Sequence, residues 1–258
     1  MLRALVFAGV LLPSLCAQTP PRVLAWADTL TGYQHDSISH ALAVMERLGR
    51  ESGSYQMDIR TDSQWITRQP VAAPARHAHN LNDFQAIFFF GTGDNLSPQQ
   101  KKDLLAFIHD EGKGFVGAHT GDDAFFDWPA FAEMIGGWFE NHPWGVFDAP
   151  VVVEDAAFPA MKPFARRFTI RDEIYQHKNF SRDRVHVLAS LDASQLDYSK
   201  PGIHQQHDFP VAWTKTYGKG RVFYSTFGHA AETWDDPRVQ QMYLEAIRWV
   251  LPPASQRP

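Results

Sequence analysis

The chain has 258 residues, of which 44% are hydrophobic, and its formal net charge is −5 at pH 7. An acidic chain without a block of basic residues lacks the electrostatic footprint of a nucleic-acid-binding protein, so we expect no nucleic-acid partner. The hydrophobic content is ample for one large core, and the sequence has no internal repeat. We therefore predict one domain over residues 22–252.

The N-terminal segment has the pattern of an export signal. Arg3 precedes an apolar run over residues 4–12, and small residues near Ala17 suit a signal-peptidase cut. The run is shorter than the roughly 20 residues that a permanent membrane span needs. We predict a signal peptide over residues 1–17, a periplasmic or extracellular location and no membrane anchor. Lipidation of Cys16 is disfavoured because the preceding leucine stands where a small residue is expected.

Cys16 is the only cysteine in the sequence. The mature chain would therefore have no disulfide, no thiolate metal ligand and no cysteine nucleophile. Loss of Arg3 from the 24 basic residues leaves all 29 acidic residues and a formal charge of −6.

Strands and helices alternate in the first half of the chain, which is typical of a parallel sheet covered on both faces. A helix begins at Ile38, and Gly49 is expected to end it. A second helix begins after Ser97, which is placed with Gln100 to form a capping box, and stops at Gly112. The predicted strands of this half are residues 23–27, 55–62, 86–90 and 114–118.

The second half contains more predicted strands than helices. Residues 211–216 and 221–226 flank a glycine-containing turn and predict a hairpin. Asp236 and the following proline begin the last helix. The other predicted strands are residues 150–154, 167–175 and 185–191. The sequence therefore predicts an α/β fold with a mainly parallel sheet, helices on both faces and a β-rich second half.

Several segments together resemble the trehalose-utilisation (ThuA-like) family over nearly the whole mature chain. The resemblance implies a flavodoxin-like fold related to class I glutamine amidotransferases, and it implies a role in carbohydrate metabolism. The segments are Gly-Lys-Gly-Phe-Val-Gly-Ala-His at 112–119, Asn-His-Pro at 141–143, Asp-Glu-Ile-Tyr at 172–175, Pro-Val-Ala-Trp at 210–213, and Gly-Lys-Gly-Arg-Val-Phe-Tyr at 218–224 leading to Gly-His at 228–229.

In class I amidotransferases a strand leads to a Gly-x-Cys-x-Gly turn that carries the nucleophile. Here that position is occupied by Gly-Ala-His-Thr-Gly at 117–121. Attack on a glutamine amide needs the cysteine sulfur, so amidotransferase activity is excluded. His119 would instead lie at the carboxyl end of a central strand, where open α/β sheets bind ligands. An imidazole there can transfer a proton or bind a metal.

Three of the twelve histidines, His119, His142 and His229, follow a predicted strand or lie in a family motif. We predict that they converge in one pocket and bind a divalent metal such as zinc. The alternative is a metal-free polar pocket that holds sugar hydroxyls. His35 and Asp94 are expected at the same edge of the sheet, as substrate-binding residues.

Glu173 is the predicted catalytic partner of His119. Adjacent side chains in a strand point to opposite faces, so only one of Asp172 and Glu173 can enter the site. The alternative is that the acid only pairs with Arg167 or Arg171. The acidic pair at 122–123 is expected to cap a helix.

Aromatic residues are expected to cluster around His142, as in a sugar-binding cleft, although the same set suits a buried core. Trp144 is the predicted substrate contact among them. His207, with His204, either contacts substrate or is solvated. The expected aromatic cluster is Trp128, Trp138, Phe139, Trp144 and Phe147.

Two functions follow from these features. The first is an exported enzyme that acts on a glycoside or keto-glycoside by isomerisation, elimination or hydrolysis, and the second is a non-catalytic sugar-binding module. The partner in both is a small carbohydrate. The sequence has neither a complete dinucleotide fingerprint nor a Gly-x-Ser-x-Gly elbow, so we expect no NAD, no flavin and no serine-hydrolase chemistry. The sugar, the linkage and the oligomeric state stay open.

Overall fold

A nine-stranded mixed sheet organises the protein. The computed structural model describes residues 19–253, so the predicted signal peptide lies outside the described residues. Within that range, none of the helices is both long enough and apolar enough to span a membrane.

The strands are β1 (Arg22–Trp26), β2 (Gln56–Arg60), β3 (Ala86–Phe89), β4 (Gly114–Ala118), β5 (Trp138–Asn141), β6 (Val146–Val153), β7 (Arg167–Glu173), β8 (Gln176–Lys178), β9 (His186–Leu191), β10 (Pro210–Tyr217) and β11 (Gly220–Ser225). The α-helices are α1 (Ile38–Ser52), α2 (Pro98–His109), α3 (Pro129–Ile135), α4 (Ala231–Asp235) and α5 (Pro237–Val250).

The order of strands in the large sheet is β2-β1-β3-β4-β11-β10-β9-β6-β7. Strands β2, β1, β3, β4 and β11 are parallel. From β11 to β7 every pairing is antiparallel. Strands β5 and β8 form a separate antiparallel pair. The structure confirms the predicted α/β class, the parallel first half and the hairpin of β10 with β11.

The central strands are apolar because helices cover both of their faces. In β3, Phe88 packs into the core beneath α1, α4 and α5, whereas Ile87 and Phe89 pack into the core beneath α2 and α3. Side chains of a strand alternate between faces, so a strand buried on both sides reads as a continuous apolar run. This arrangement sends the carboxyl ends of β1, β3, β4 and β11 to one edge of the sheet.

The helix boundaries depend on local capping. Ser97 accepts a hydrogen bond from the Gln100 N–H and the Gln100 side chain binds back to Ser97, which confirms the predicted capping box of α2. The predicted end of α1 at Gly49 is wrong, because Gly49 is buried within the helix. Gly53, with φ of 63°, ends α1 in the left-handed conformation that glycine adopts without strain. Strands β5 and β8 were not predicted, since each is too short to show an alternating pattern.

We expect Ser97→Ala to lower the free energy of unfolding by about 1 kcal/mol, because the first turn of α2 loses the side-chain acceptor for its orphan N–H. Urea unfolding measures this change. Lys102→Ala, at an exposed position of the same helix, is the matched control and should leave the stability nearly unchanged. Equal stabilities of the two variants would show that the cap contributes nothing.

Candidate active site

Four side chains with metal-ligand or acid–base chemistry meet at the carboxyl edge of the parallel strands. His119 directly follows β4, His229 follows β11, and His35 lies before α1. Glu173 is the last residue of β7. One ligand atom from each of these residues lies within 4.8 Å of those from the other three. We call these four residues the His–Glu group.

His119 is held in one tautomer by its surroundings. Its ring is fully buried, and its backbone has a φ of 45°, in the left-handed region. The Nδ1 atom lies 2.6 Å from the carbonyl oxygen of Thr226, which can only accept a hydrogen bond, so Nδ1 carries the proton. The Nε2 atom of neutral His119 therefore presents a lone pair to the group. The Tyr175 hydroxyl lies 2.8 Å from this atom and donates to it.

The distances inside the group are short. The Nε2 atoms of His119 and His35 are 3.3 Å apart. The Oε2 atom of Glu173 lies 3.1 Å from His229 Nδ1 and 3.7 Å from His119 Nε2. The other carboxylate oxygen of Glu173 lies 3.4 Å from Nδ1 of His142, whose side chain is half exposed. Of the three predicted metal ligands, His119 and His229 belong to the group, and His142 adjoins it through Glu173.

Burial and neighbouring charges shift the pKa values of these residues in different directions, so the residues differ in protonation state. Burial lowers the pKa of His35 to about 4 and lowers the pKa of His119 well below its usual value. The Glu173 carboxylate raises the pKa of His229 more than burial lowers it. Burial alone would raise the pKa of Glu173, but hydrogen bonding to His229 and the charges of His229, His142 and His35 lower it overall. At neutral pH, His35 and His119 are therefore neutral and Glu173 is charged.

The two adjacent acids of β7 have different partners. The Asp172 carboxylate accepts hydrogen bonds from the backbone N–H groups of Glu173, Gly228 and His229, at 2.8 to 3.1 Å. Asp172 thus holds the loop that carries His229, while Glu173 faces the histidines. Neither acid pairs as the alternative interpretation supposed, because Arg167 and Arg171 pair with Asp192 and Asp148.

The prediction that Asp122 caps a helix is wrong. Asp122 is fully buried, and the Tyr224 hydroxyl lies 2.7 Å from both its carboxylate and the His119 carbonyl oxygen. The other Asp122 oxygen lies 3.1 Å from His177 Nε2. Through these contacts Asp122 links the turn after β4 to Tyr224 in β11 and to His177 in β8. Asp123 faces a cleft beside the group, and burial together with the Asp122 charge raises its pKa to about 7.

The remaining predicted residues do not belong to the His–Glu group. Asp94 pairs with Lys101 at 2.8 Å and lines the same cleft as Asp123. Trp144 donates to the Asp197 carbonyl, and its ring packs on Phe147 and Phe209. The ring of His207 packs on Tyr198 with centroids 4.1 Å apart, and His204 pairs with Glu140.

The expected aromatic cluster around His142 is not formed. Phe139 stacks on His142 with ring centroids 5.7 Å apart. The other members pack on different rings: Trp128 packs on Phe131, Trp138 lies near Phe126, and Trp144 stacks on Phe147. Trp138 and Phe139 are neighbours in β5, so their side chains face opposite sides of the strand.

The predicted residues did not include Tyr175, His177 or Tyr224. Tyr175 had a usable signal, since it lies two residues after Glu173 and an extended chain places such side chains on one side. His177 lies in the unpredicted strand β8, and Tyr224 lies within an apolar strand where its hydroxyl had no evident partner.

In the metal-free protein, the His35 side chain should contribute a loss of stability as the pH falls from 6.5 towards 4. His35 has a folded pKa of about 4 and an ordinary value of 6.5, so in this range the unfolded chain binds more protons at this residue and acid favours unfolding. Asp123 and Asp172, whose pKa values burial raises to about 7, act in the opposite sense, so the contribution of His35 is measured by comparison with a variant. His119 acts in the same sense, whereas His229, with its raised pKa, loses its stabilising contribution as the pH rises above 6.5. Urea unfolding at several pH values measures the slope.

His35→Gln should become more stable relative to the wild type as the pH falls from 6.5 towards 4, because the substituted side chain does not titrate. The control is His77→Gln, at an exposed histidine, which should keep the wild-type slope. An unchanged slope in His35→Gln would contradict the assignment of a depressed pKa to His35.

Comparison with known proteins places the fold and the family. Among solved structures the chain is similar to a ThuA-like protein from Bacteroides uniformis, with 21% identity, a TM-score of 0.73 and coverage of 93% of this chain and 95% of the other. A ThuA-like protein from Parabacteroides merdae has 17% identity, a TM-score of 0.66 and coverage of 90% of each chain.

PurLQS from Thermotoga maritima has 12% identity, a TM-score of 0.53 and coverage of 89% of this chain and 99% of the other. At these identities the three structures show a common fold alone. No curated protein matches significantly. A family model described as ThuA, trehalose utilisation, matches residues 22–250. The chain therefore belongs to the ThuA (trehalose utilisation) family, whose description indicates a carbohydrate-related function.

Proposed function

We propose that the protein is an exported enzyme that acts on a small glycoside or keto-glycoside and binds one divalent cation with the His–Glu group. One observation carries this proposal: three imidazoles and a carboxylate converge at the carboxyl edge of the sheet, with their ligand atoms within 4.8 Å of one another. Two of the imidazoles are kept neutral by burial. Neutral imidazole nitrogens and a carboxylate are the ligands that zinc and similar ions take in catalytic sites.

The residues around the group fit a cation. The Thr226 carbonyl fixes the tautomer of His119, as an outer-shell acceptor does for a metal-ligating histidine. Asp172 fixes the loop before His229 through backbone hydrogen bonds. The Nε2 atoms of His119 and His35 lie 3.3 Å apart in a buried site. A cation bound between the two nitrogens would stabilise this close approach. Such an ion would polarise a carbonyl or lower the pKa of a bound water.

Glu173 is the best-placed residue for proton transfer. His119 is fully buried and its Nδ1 proton is bound to the Thr226 carbonyl, so His119 serves better as a ligand than as an acid. Glu173 presents one oxygen to the group and the other to the half-exposed His142, 3.4 Å away. A proton accepted by the carboxylate can pass to that imidazole and then to solvent. In this proposal Glu173 keeps its predicted acid–base function, and His119 keeps its predicted role as a metal ligand but not its predicted role in proton transfer.

Metal-stripped protein without a histidine tag should bind one equivalent of zinc. His229→Ala should weaken zinc binding by at least about tenfold, because it removes one of four ligands. Calorimetric titration against a competing chelator measures the affinity. His204→Ala, which removes an imidazole outside the group, is the matched control and should bind zinc as the wild type does. Equal affinity in the wild type and His229→Ala would exclude the proposed ligand set.

Zinc-loaded protein should convert at least one member of a panel of disaccharides and their keto derivatives, read by mass spectrometry. Glu173→Gln should reduce turnover by about 100-fold or more, because the amide cannot accept a proton and is a weaker ligand for the cation than the carboxylate. Its effect on sugar binding should be small. A sugar-binding module would show binding without turnover in the wild type, and that result would replace the enzyme with the alternative function.

A further inference from the structure

A cleft opens beside the His–Glu group, and we propose that it is a substrate subsite that binds a neutral, hydroxyl-rich sugar and excludes anionic sugars. This inference rests on the proposed function, because it names the substrate class of that same site. The cleft has a volume of about 350 Å³, which is within the usual range for small-molecule sites. Its aromatic and acidic residues are Tyr33, Asp94, Asp123, Phe125, Phe126 and Asp127.

The cleft adjoins the His–Glu group through residues that neighbour the group. The Tyr33 ring meets the His35 ring edge-on, with centroids 4.7 Å apart. Asp123 directly follows the turn that carries His119, and the Glu173 charge contributes to its raised pKa. Thr92 Oγ1 donates to the Tyr33 carbonyl at 2.7 Å and holds that loop against the end of β3. A ligand in the cleft would therefore contact Tyr33, which packs on His35, and Asp123, which follows the turn of His119.

Two aromatic side chains provide apolar faces at the cleft. Tyr33 is 67% exposed and Phe126 is 43% exposed, which makes them two of the most exposed large hydrophobic residues described. The Lys178 ammonium lies 4.3 Å from the centre of the Phe126 ring and covers one of its faces. Aromatic faces pack against the C–H face of a sugar ring, as in sites that combine apolar surface with a few polar groups.

The polar groups of the cleft are acidic. Asp94, Asp123 and Asp127 line it, and none of its lining residues is a lysine or an arginine. Two lysines act from the margin: Lys101 pairs with Asp94, and the Lys178 charge reaches Asp123. Carboxylate oxygens accept hydrogen bonds from sugar hydroxyls, whereas a phosphate or uronate would meet three carboxyl groups in the lining and only the two lysines at the margin. The cleft therefore selects by charge as well as by shape.

Calorimetry with a neutral panel (trehalose, maltose and cellobiose) and with trehalose 6-phosphate tests the subsite. The measurements are made at a pH of about 8, above the pKa of about 7 of Asp123. Wild-type protein should bind at least one neutral disaccharide and bind trehalose 6-phosphate at least about tenfold more weakly. Tyr33→Ala should weaken the neutral sugar by about tenfold, and Tyr33→Phe, which keeps the ring, should not.

The double variant Asp123→Asn, Asp127→Asn should reduce the discrimination against trehalose 6-phosphate by about tenfold. Trp144→Ala, at an aromatic residue of a different cleft, is the control and should bind as the wild type does. The inference is overturned if the wild type binds none of the neutral sugars, if it binds the phosphate equally well, or if Tyr33→Ala binds normally.

The proposed function fails by a different measurement. The wild-type protein could bind no zinc and show no turnover, yet bind neutral sugar with the predicted effects of Tyr33→Ala and the double aspartate variant. That result would support the subsite and contradict the proposed enzyme function. Titrations in the presence of zinc and of a chelator separate the two results.

Discussion

The hydrogen bond from His119 Nδ1 to the Thr226 carbonyl determines how the rest of the site is arranged. It joins the ends of β4 and β11, which are neighbours in the sheet, and it leaves Nε2 as the unprotonated nitrogen of a fully buried ring, where it accepts a hydrogen bond from Tyr175. The Tyr224 hydroxyl donates a hydrogen bond to the His119 carbonyl and so stabilises the same turn. With the ring held in this way, His35 and Glu173 can approach Nε2 to 3.3 and 3.7 Å.

Much of the fold follows from short-range patterns in the sequence. The apolar runs of β3 and β4 and the caps of α2 and α5 depend on residues next to one another, so their physical signals are local. The end of α1 was misplaced because glycine has two roles: Gly49 is accommodated inside the helix, and Gly53 ends it. Tertiary packing distinguishes these roles, and the local pattern does not.

The candidate site was only partly predictable, because it depends on contacts between distant segments. Strand ends suggested His119, His35 and His229, but β7 is the last strand of the sheet order, far from β4. What brings Glu173 to the histidines is the contact of Asp172 with the loop at residues 228–229. Burial then separates His35 from His142, and no spacing in the sequence encodes that difference. The aromatic residues near His142 in sequence also pack on different partners, which tertiary contacts determine.

The electrostatic surroundings connect the two proposals. Burial raises the pKa of Asp172 to about 7, although three backbone N–H groups favour its charged form, and burial also raises the pKa of Asp122. These acids lie beneath the His–Glu group, and Asp94, Asp123 and Asp127 line the adjoining cleft. A cation in the group would favour the ionised forms of these acids, and the ionised acids would in turn stabilise the cation. The same field would repel an anionic sugar, so both proposals depend on one distribution of acids.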